Sequence, residues 1–520
     1  MFGFKGAAIF AALLLCLAPF ATAAQDVTLT SPDGGVEISG TLLGFDGEFY
    51  RVDTIYGELT VDGSGVSCDG PGCPNLIDFV AEVDFSGSST MGEALMPALL
   101  EGFALRNGLR VSRQPGEGTR VDYTLRDGQT GKVVARFGFR ITTTDEGFAD
   151  LLADEADVVM ALREIRSEER TRARNAGMGD MTDRNRSRVL ALDAMVPIVA
   201  PGNPVKAISM PELAAAFSGQ ITNWSELGGP DAPITLHLPD AGSGLAQAVE
   251  DRLLRPEALT LPEGVVRHRL SSALSRTVTT DPFGLGLVSY AEVGNARMLT
   301  LSGSCGFTLQ ATRRTIKTED YPLTSPMFLY LPARRLPKLA REFLSYMRGP
   351  AAQIVIRRVG FVDQSPEEIT INRQGDRFAN AISAAGDEVT LSELRRMVGT
   401  LRPMVRLTTS FRFEAGSSRL DAQSRSNIEQ LARAIEAGVY DARSLSFIGF
   451  SDGDGPSVAN LAIARRRAEA VRDAVLAAAE TVNPDRVALQ VEAYGEALPM
   501  ACDDSAWGRQ VNRRVEVWLR

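Results

Sequence analysis

The spacing of hydrophobic positions changes along the chain, and the first regular pattern is an alternation of apolar and polar residues. Between residues 26 and 62, short runs such as 27–29, 36–38 and 49–52 are separated by Asp-Gly and Gly-Gly pairs. A period of two with such turn residues is typical of short antiparallel strands. The pattern predicts a small all-β module over residues 25–76.

From residue 77 to 363 the pattern changes to strand-like apolar runs that alternate with helical ones. Residues 79–85 lead into a helical pattern at 95–106, and 156–160 lead into another at 164–173. Repeated alternation of this kind predicts an α/β domain. The following stretch, 364–404, is polar, carries one helical pattern at 391–401 and ends beside Pro403, so it is interpreted as a linker.

The last segment, 405–520, has its own order of elements. Strand patterns at 405–413, 444–450, 487–493 and 515–518 are interleaved with helical patterns at 423–437 and 459–479. This βαβαββ-like order predicts a C-terminal α+β domain. The chain is thus expected to be multidomain, which agrees with its 520 residues, too many for one hydrophobic core.

Composition and charge remove several classes of function. A formal charge of -10 and a pI near 5.1 argue against nucleic-acid binding, which needs a concentrated basic face. The two histidines, His237 and His268, stand outside any spaced ligand pattern, and the cysteines have no zinc spacing. No metal site and no cofactor are predicted.

Residues 1–24 have the pattern of a signal peptide. Lys5 supplies a positive start, residues 7–20 form an apolar core, and 21–24 are small residues suited to cleavage. The alternative, a lipoprotein anchored through Cys16, is disfavoured because Leu15 precedes that cysteine. No later stretch approaches the roughly 18 to 20 apolar residues of a membrane span. The predicted location is the periplasm.

Four cysteines follow the signal peptide. Cys68 and Cys73 flank a Gly/Pro loop whose tight turn can bring two sulfurs together, so a disulfide is predicted there. Cys305 and Cys502 lie in different predicted domains. They either pair across a docked interface or remain free thiols, and the sequence leaves both possibilities open.

The segment from about 405 to 520 resembles the OmpA-like peptidoglycan-binding domain. The residues that carry this resemblance are Phe413, Ser418, Leu420, Gly449–Gly455, Asn460, Arg467–Ala468, Tyr494–Gly495 and Asn512–Glu516. The resemblance implies that Asp452 and Arg467 hold the diaminopimelate of the peptidoglycan stem peptide, with Gly455 and Asn460 completing the site.

Opposite charges suit such a ligand. A zwitterionic amino-acid end needs a carboxylate for its ammonium group and a guanidinium for its carboxylate. The neighbouring Arg465 and Arg466 are interpreted as a solvated helix face, and Asn512–Glu516 as support for the last strand.

Residues from about 78 to 363 resemble the PstS-type phosphate-binding proteins of ABC transporters. The residues that carry this resemblance are Phe85–Thr90, Ala156–Met160, Arg163, Asn203–Pro204, Phe217–Trp224, Leu227–Gly229, Gly242–Gly244, Leu285–Tyr290 and Tyr321–Leu323. The resemblance implies two α/β lobes that close over an oxyanion held by hydroxyls, backbone N–H groups and helix N-termini. The expected anion-binding residues are Ser88, Ser89, Thr90, Thr143, Arg163, Ser243 and Gly244.

Several positions depart from the PstS-type pattern. Pro239 stands where the family commonly has an arginine, Leu245 replaces a threonine, and Ala161 and Leu162 replace serines. Proline can neither donate a hydrogen bond nor carry charge. The lobes are therefore expected to bind phosphate or a related oxyanion or, alternatively, a different ligand or a protein.

The two resemblances together predict a periplasmic solute-binding protein anchored non-covalently to peptidoglycan, close to the cell wall or outer membrane. An ABC transporter or other envelope proteins are the expected further partners. The alternative is a wall-anchored scaffold with degenerate binding lobes. No enzyme is predicted, because Ser243 is not in a Gly-x-Ser-x-Gly elbow and neither histidine has an assigned acid partner.

Overall fold

The computed structural model describes residues 26–76, 79–183, 185–332, 334–386, 388–414, 417, 419–479, 481, 483 and 486–520. The predicted signal peptide, residue 77 at the predicted start of the α/β domain, and Ser418 lie outside these ranges. The chain divides into two compact units, Met1–Ala81 and Glu82–Arg520. Within the described ranges, no helix is both long and apolar enough to span a membrane.

The first unit contains one antiparallel sheet. Its strands are β1 (Val27–Thr30), β2 (Glu37–Phe45), β3 (Phe49–Thr54), β4 (Gly57–Asp62) and β5 (Ser67–Asp69). They lie in the order β4-β3-β2-β1-β5 around Val27, Leu29, Tyr50 and Val52. A disulfide joins Cys68 to Cys73. The predicted all-β module is confirmed.

The second unit begins with two α/β lobes. The strands are β6 (Ala81–Ser88), β7 (Leu109–Pro115), β8 (Arg120–Asp127), β9 (Val133–Thr142), β10 (Val158–Ala161), β11 (Ser187–Val199), β12 (Ala207–Ser209), β13 (Thr235–Pro239), β14 (Val266–His268), β15 (Gly284–Ser289), β16 (Arg297–Met298), β17 (Thr300–Ser302), β18 (Thr308–Leu309) and β19 (Thr324–Tyr330). The helices are α1 (Met96–Arg106), α2 (Thr144–Leu152), α3 (Ser167–Asn175), α4 (Met210–Phe217), α5 (Gly244–Val249), α6 (Ser271–Thr280), α7 (Arg313–Lys317), α8 (Lys338–Tyr346) and α9 (Pro350–Val359).

One long strand connects the lobes. The first half of β11 pairs with β19, from Ser187 to Ala194, and its second half pairs with β15, from Met195 to Val199. The sheet order is β14-β13-β15-β11-β19-β10-β6-β9-β8-β7. Strands β6 to β10 therefore belong to a first lobe and β13 to β15 to a second, with β11 and β19 between them. The predicted two-lobed α/β architecture is confirmed.

The C-terminal domain is a five-stranded sheet with helices on both faces. Its strands are β20 (Glu368–Ile369), β21 (Val405–Arg412), β22 (Arg443–Phe450), β23 (Val487–Gly495) and β24 (Arg514–Leu519), and its helices are α10 (Gly375–Ser383), α11 (Leu391–Leu401), α12 (Ala422–Glu436), α13 (Ser457–Ala478) and α14 (Ala506–Asn512). The strand order is β20-β21-β24-β22-β23. Alternate residues of β22 face α12 with α13 on one side, and α10 with α11 on the other.

The segment 364–404 is not the linker that its polar composition predicted. It forms β20, which pairs with β21, and the helices α10 and α11. Ala381, Leu394 and Met397 on these helices pack against Phe450 and Trp518 of the sheet. The polar residues are the solvent-facing side of two amphipathic helices, so the segment belongs to the C-terminal domain.

The C-terminal domain is docked on both lobes. A disulfide joins Cys305 to Cys502, which settles the alternative that the sequence left open. Trp507 is buried in the hydrophobic core of the second lobe, and Ala422 packs into a cluster of the first lobe that includes Phe148. Each lobe is therefore in direct contact with the same C-terminal domain.

A buried ion network reinforces this docking. Asp320, from the segment before β19, accepts hydrogen bonds from Arg406 at 2.8 Å and Arg412 at 3.1 Å, both on β21. Arg406 also lies 3.3 Å from Glu516 on β24. All four side chains are nearly inaccessible to solvent. Buried charges are tolerated only when paired, so these residues fix how the two domains meet.

Candidate functional sites

The first predicted site begins where β6 ends. Ser88 is the last residue of the strand, and Ser89 and Thr90 open the helical segment that runs through a π-helical turn into α1. Gly87 has φ +129°, and a Cβ atom there would lie 2.2 Å from the carbonyl oxygen of Met160, so only glycine fits. The hydroxyls of Ser88, Ser89 and Thr90 make no hydrogen bond to another described residue.

Two other predicted hydroxyls cap helices. Thr143 accepts a hydrogen bond from the backbone N–H of Glu146 at 3.2 Å, and the Glu146 carboxylate accepts one from the Thr143 N–H, which forms a capping box for α2. Ser243 accepts from the N–H of Ala246 at 3.2 Å and caps α5. Both side chains thus have a structural task at the helix ends where an anion was expected.

The lobes are in van der Waals contact at this point. A Cβ atom on Gly244 would lie 2.9 Å from the Leu162 Cβ and 2.9 Å from the Thr144 Oγ1, and one on Gly242 would lie 3.0 Å from the Thr143 Cγ2. Leu162 stands at a position where the PstS-type pattern has serine. Its side chain, together with Leu245, makes this part of the cleft apolar.

Arg163, the predicted anion-binding cation, is already neutralised by protein carboxylates. Its guanidinium donates to both oxygens of Glu169, at 2.7 and 2.9 Å, and it also pairs with Asp145. Burial opposes the charge, but the bonds to Glu169 and Asp145 raise the pKa of Arg163. The guanidinium also stacks on Phe148 at 5.3 Å. One cation therefore faces two carboxylates, which does not match the expectation of a free anion-binding arginine.

Polar contacts bridge the lobes beside Arg163. Gln247 on α5 donates to Asp145 on α2 at 2.8 Å, and Arg166 donates to Asp251 at 3.1 Å. Since α2 and α5 belong to different lobes, these bonds hold the cleft closed.

His237 has an acid partner that the sequence did not suggest. Its Nε2 lies 3.1 Å from Asp281 Oδ2, and its Nδ1 lies 3.1 Å from His268 Nε2. Burial and the neighbouring His237 lower the pKa of His268. No hydroxyl or thiol of the described residues is hydrogen-bonded to either histidine, so the pair lacks the nucleophile of a hydrolase triad.

The second predicted site lies in the loop after β22. Asp452 is 9% exposed and accepts a hydrogen bond from Arg513 Nη1 at 2.6 Å. Arg467 on α13 places its guanidinium over the Phe413 ring at 5.1 Å. Burial and the nearby Arg513 lower the pKa of Arg467, while Asp452 opposes this shift. Two guanidiniums thus lie beside the carboxylate of Asp452.

The loop is shaped by glycine and by amide hydrogen bonds. Gly455 has φ +88°, a conformation that side chains disfavour. Asn460 donates to the Gly455 carbonyl at 3.2 Å and to Glu496 at 2.8 Å. On the other side, Asp503 accepts from the N–H of Gly453 at 2.7 Å. The predicted residues Gly455 and Asn460 therefore position the loop from within.

Arg513 is the functional candidate that sequence reasoning missed. It belongs to the stretch Asn512–Glu516, which was interpreted as support for the last strand. Arg514 and Glu516 fit that interpretation, because they form a fully buried pair at 2.7 Å. Arg513 points instead to Asp452. At the start of β24, successive side chains point to opposite faces of the sheet. This alternation was the signal that could have assigned Arg513 a different direction from Arg514.

Comparison with known proteins supports both resemblances. Residues 80–350 match the model of the PBP superfamily domain, and 412–513 match the OmpA family. The chain is 25% identical over 180 residues to the phosphate-binding protein PstS of Borreliella burgdorferi, and 27% identical over 188 residues to that of Bacillus subtilis. These alignments cover 34% and 36% of this chain, and 64% and 60% of the relatives' own lengths.

A further relative and a solved structure also align with this chain. Protein SphX of Synechococcus elongatus is 26% identical over 269 residues, which cover 47% of this chain and 76% of that protein. An ABC-type phosphate transport receptor from Vibrio cholerae, a solved structure, aligns with a TM-score of 0.41 and 18% identity over 54% of this chain and 99% of that one. The chain carries a C-terminal OmpA domain and, since the superfamily model matches more than half of its residues, it belongs to the PBP superfamily.

Proposed function

We propose that this chain is a periplasmic envelope protein that binds peptidoglycan through its OmpA domain and carries a solute-binding module for a small oxyanion. The observation that carries the wall-binding part is the cluster of Asp452, Arg467 and Arg513 at a glycine-containing loop. The match to the OmpA family, residues 412–513, includes all three residues.

The cluster has the charges that a diaminopimelate stem peptide requires. Asp452 would accept hydrogen bonds from the ligand's ammonium group, and Arg467 would donate to its carboxylate. Arg513, which is paired with Asp452, would divide its hydrogen bonds between the Asp452 carboxylate and the ligand. The Phe413 ring packs against the Arg467 guanidinium and restricts its side chain, so Arg467 loses little conformational freedom when the ligand binds.

Phosphate is the proposed ligand of the lobes. Relatives of about 25% identity are named phosphate-binding proteins. The hydroxyls of Ser88, Ser89 and Thr90 lie at the end of β6 and the start of the next helical segment, and Thr143 and Ser243 cap the facing helices. Donors of this kind hold oxyanions without a permanent charge on the protein. Delivery to an ABC transporter would follow from such binding.

Two measurements test the proposal. The mature chain should sediment with purified peptidoglycan and remain in solution without it. Calorimetry in phosphate-free buffer should give saturable heat on addition of inorganic phosphate. Absence of co-sedimentation would overturn the wall-binding function, and absence of both heat and thermal stabilisation would overturn phosphate as ligand while leaving wall binding intact.

A second candidate is a wall-anchored scaffold whose lobes contact a protein. It is favoured by the contact of Leu162 with Gly244 and by the two carboxylates on Arg163, both of which disfavour an anion in the cleft. Solution scattering separates the candidates. A solute-binding module should change its scattering profile when phosphate is added, whereas a scaffold should give the same profile with and without phosphate. The scaffold should also bind an envelope protein through residues 82–363.

A further inference from the structure

A large cavity lies between the lobes and the C-terminal domain, away from both sites described above. Its volume is about 1050 Å³. The start of β11 and the region of α8 and α9 form one wall, and α12 with the end of α13 forms the other. Cavities of some 300 to 1,000 Å³ are the usual size for organic ligands, so this one is large enough for more than a bare ion.

More arginines than carboxylates are found among the described residues that line the cavity. Four arginines contribute to its walls, Arg188, Arg348, Arg425 and Arg433, whereas Glu429 is the single carboxylate among its described lining residues. Arg425 lies 3.7 Å from both Glu164 and Glu414, and Arg433 lies 4.0 Å from Glu429. These carboxylates offset part of the charge of Arg425 and Arg433.

Arg188 is the least compensated of the four. Its Nε is buried without a hydrogen-bond partner, and no carboxylate of the described residues pairs with its guanidinium. Burial, together with Arg348 and Arg433, lowers the pKa of Arg188 to about 10. Three guanidiniums held near one another repel, and a bound anion relieves that repulsion.

One part of the remaining cavity wall is apolar. It includes Leu190, Leu344, Met347 and Ile428, together with Ala474 and Ala478 near the end of α13. Uncharged polar side chains, among them three glutamines, line the remainder. Small side chains at the end of α13 leave room along the helix for an extended chain. Water along the apolar part would lack polar partners, so an alkyl chain is the better occupant there.

We infer that this cavity binds a single-chain amphiphile, with its anionic headgroup at Arg188, Arg348 and Arg433 and its alkyl chain along the alanine side of α13. A fatty acid and a phosphate-bearing lipid share this chemistry. A guanidinium can hold either headgroup through paired hydrogen bonds. The site is independent of the interlobe cleft and of the wall-binding loop.

The test uses the mature full-length chain with both disulfides intact. Dodecyl phosphate and laurate, each below its critical micelle concentration, are titrated by calorimetry. Dodecyltrimethylammonium tests the alkyl chain without an anionic headgroup, and inorganic phosphate tests the anionic group without a chain. At least one of the two anionic amphiphiles should bind saturably at one site, and the stronger of them identifies the headgroup. Equal binding of the cationic amphiphile, or failure of both anionic ones, would overturn the inference.

Two variants locate the site. Arg188→Gln should weaken binding of the preferred amphiphile about tenfold, since a hydrogen-bonded charge is lost. Arg172→Gln, which removes an exposed arginine on α3, should leave it unchanged. Ala477→Trp should block the chain while retaining the charges. Melting curves confirm folding of each variant, and unchanged affinity in both Arg188→Gln and Ala477→Trp would contradict the assignment.

Discussion

The interlobe cleft and the loop of the OmpA domain place their predicted binding residues in different electrostatic surroundings. In the cleft, the guanidinium of Arg163 contacts the carboxylates of Asp145 and Glu169. In the loop, the carboxylate of Asp452 has both Arg513 and Arg467 beside it. The charge of Arg163 is therefore satisfied by two carboxylates, whereas Arg467 shares one carboxylate with a second guanidinium.

This difference matters more than the presence of a motif residue. An arginine that matches a family pattern attracts an anion only when its charge is not already satisfied within the protein. Arg163 matches the pattern but is satisfied, whereas Arg467 matches and retains its charge next to a second guanidinium. Both sites sit on one unit held together by the buried network around Asp320.

The largest expected effect comes from breaking that shared support. Asp320→Ala leaves Arg406 and Arg412 buried with one fewer partner, and breaking a buried pair costs about 3–5 kcal/mol. Urea unfolding should show this loss of stability. Asp441→Ala removes the exposed partner of Arg486 and should cost less than about 1 kcal/mol. Equal effects in the two variants would contradict the role given to Asp320.

Acidification should act on the same residue. Burial would raise the pKa of Asp320, but Arg406 and Arg412 hold it below its ordinary value of 3.8. Its stabilising contribution is therefore complete above the unfolded pKa, about 3.9, and is lost as the pH falls through the lower folded value. Unfolding measured from pH 6 down to pH 2 should show a steeper loss for the natural chain than for Asp320→Asn.

The next effect concerns the loop itself. Asp452→Ala or Arg467→Ala should reduce binding to purified peptidoglycan by about a hundredfold or more, near 2.7 kcal/mol, because each removes one half of a zwitterion's contacts. Co-sedimentation measures this. Arg466→Ala, one residue from Arg467 and exposed, is the matched control and should bind normally. Normal binding by both site variants would remove the proposed grip.

A smaller effect is expected at Arg513. Arg513→Ala should weaken peptidoglycan binding about tenfold, or roughly 1.4 kcal/mol, because Arg467 still provides a guanidinium for the ligand. Arg513→Lys keeps the charge but loses the fork geometry of the guanidinium, so its affinity for peptidoglycan should lie between those of Arg513→Ala and the natural chain. If Arg513→Ala binds as tightly as the natural chain, Arg513 only orients Asp452.

The smallest predicted change comes from removing the carboxylates that satisfy Arg163 in the cleft. The double variant Asp145→Asn and Glu169→Gln removes both carboxylates from Arg163 and should strengthen phosphate binding by about threefold to tenfold. Calorimetry in phosphate-free buffer measures this change. Glu168→Gln removes an exposed charge next to Glu169 and should have no effect. An unaltered affinity in the double variant would mean that Leu162, not charge, limits the cleft.

Local pattern was enough to predict the three main parts of the fold. Alternation found the β module, and the switch to strand–helix repeats found the lobes. The helical pattern at 391–401 agrees with α11, but α10 was missed, and the segment was interpreted as a linker because polar composition outweighed the apolar stripe of both helices. Docking could not be predicted, since Trp507 and Ala422 look like core residues of their own domain yet are buried against the lobes.

For the sites, motif positions led to Asp452, Arg467 and the hydroxyls of Ser88 to Thr90 as candidates, and their binding of ligands stays a prediction. The electrostatic partners were not visible, because Asp145 lies 18 residues before Arg163 and Arg513 lies 61 residues after Asp452. Which charges satisfy one another depends on the fold, and sequence spacing alone does not contain that information.

The disulfide between Cys305 and Cys502 has a mechanical consequence. The two cysteines are 197 residues apart in sequence, yet they covalently join the second lobe to the segment before α14. Tension applied at the loop of the OmpA domain would pass through this bond directly into the lobe, not along the intervening backbone. A protein tethered to a wall under turgor would thus bear load without stretching α10 and α11, and a protease cut between the two cysteines would leave its halves connected.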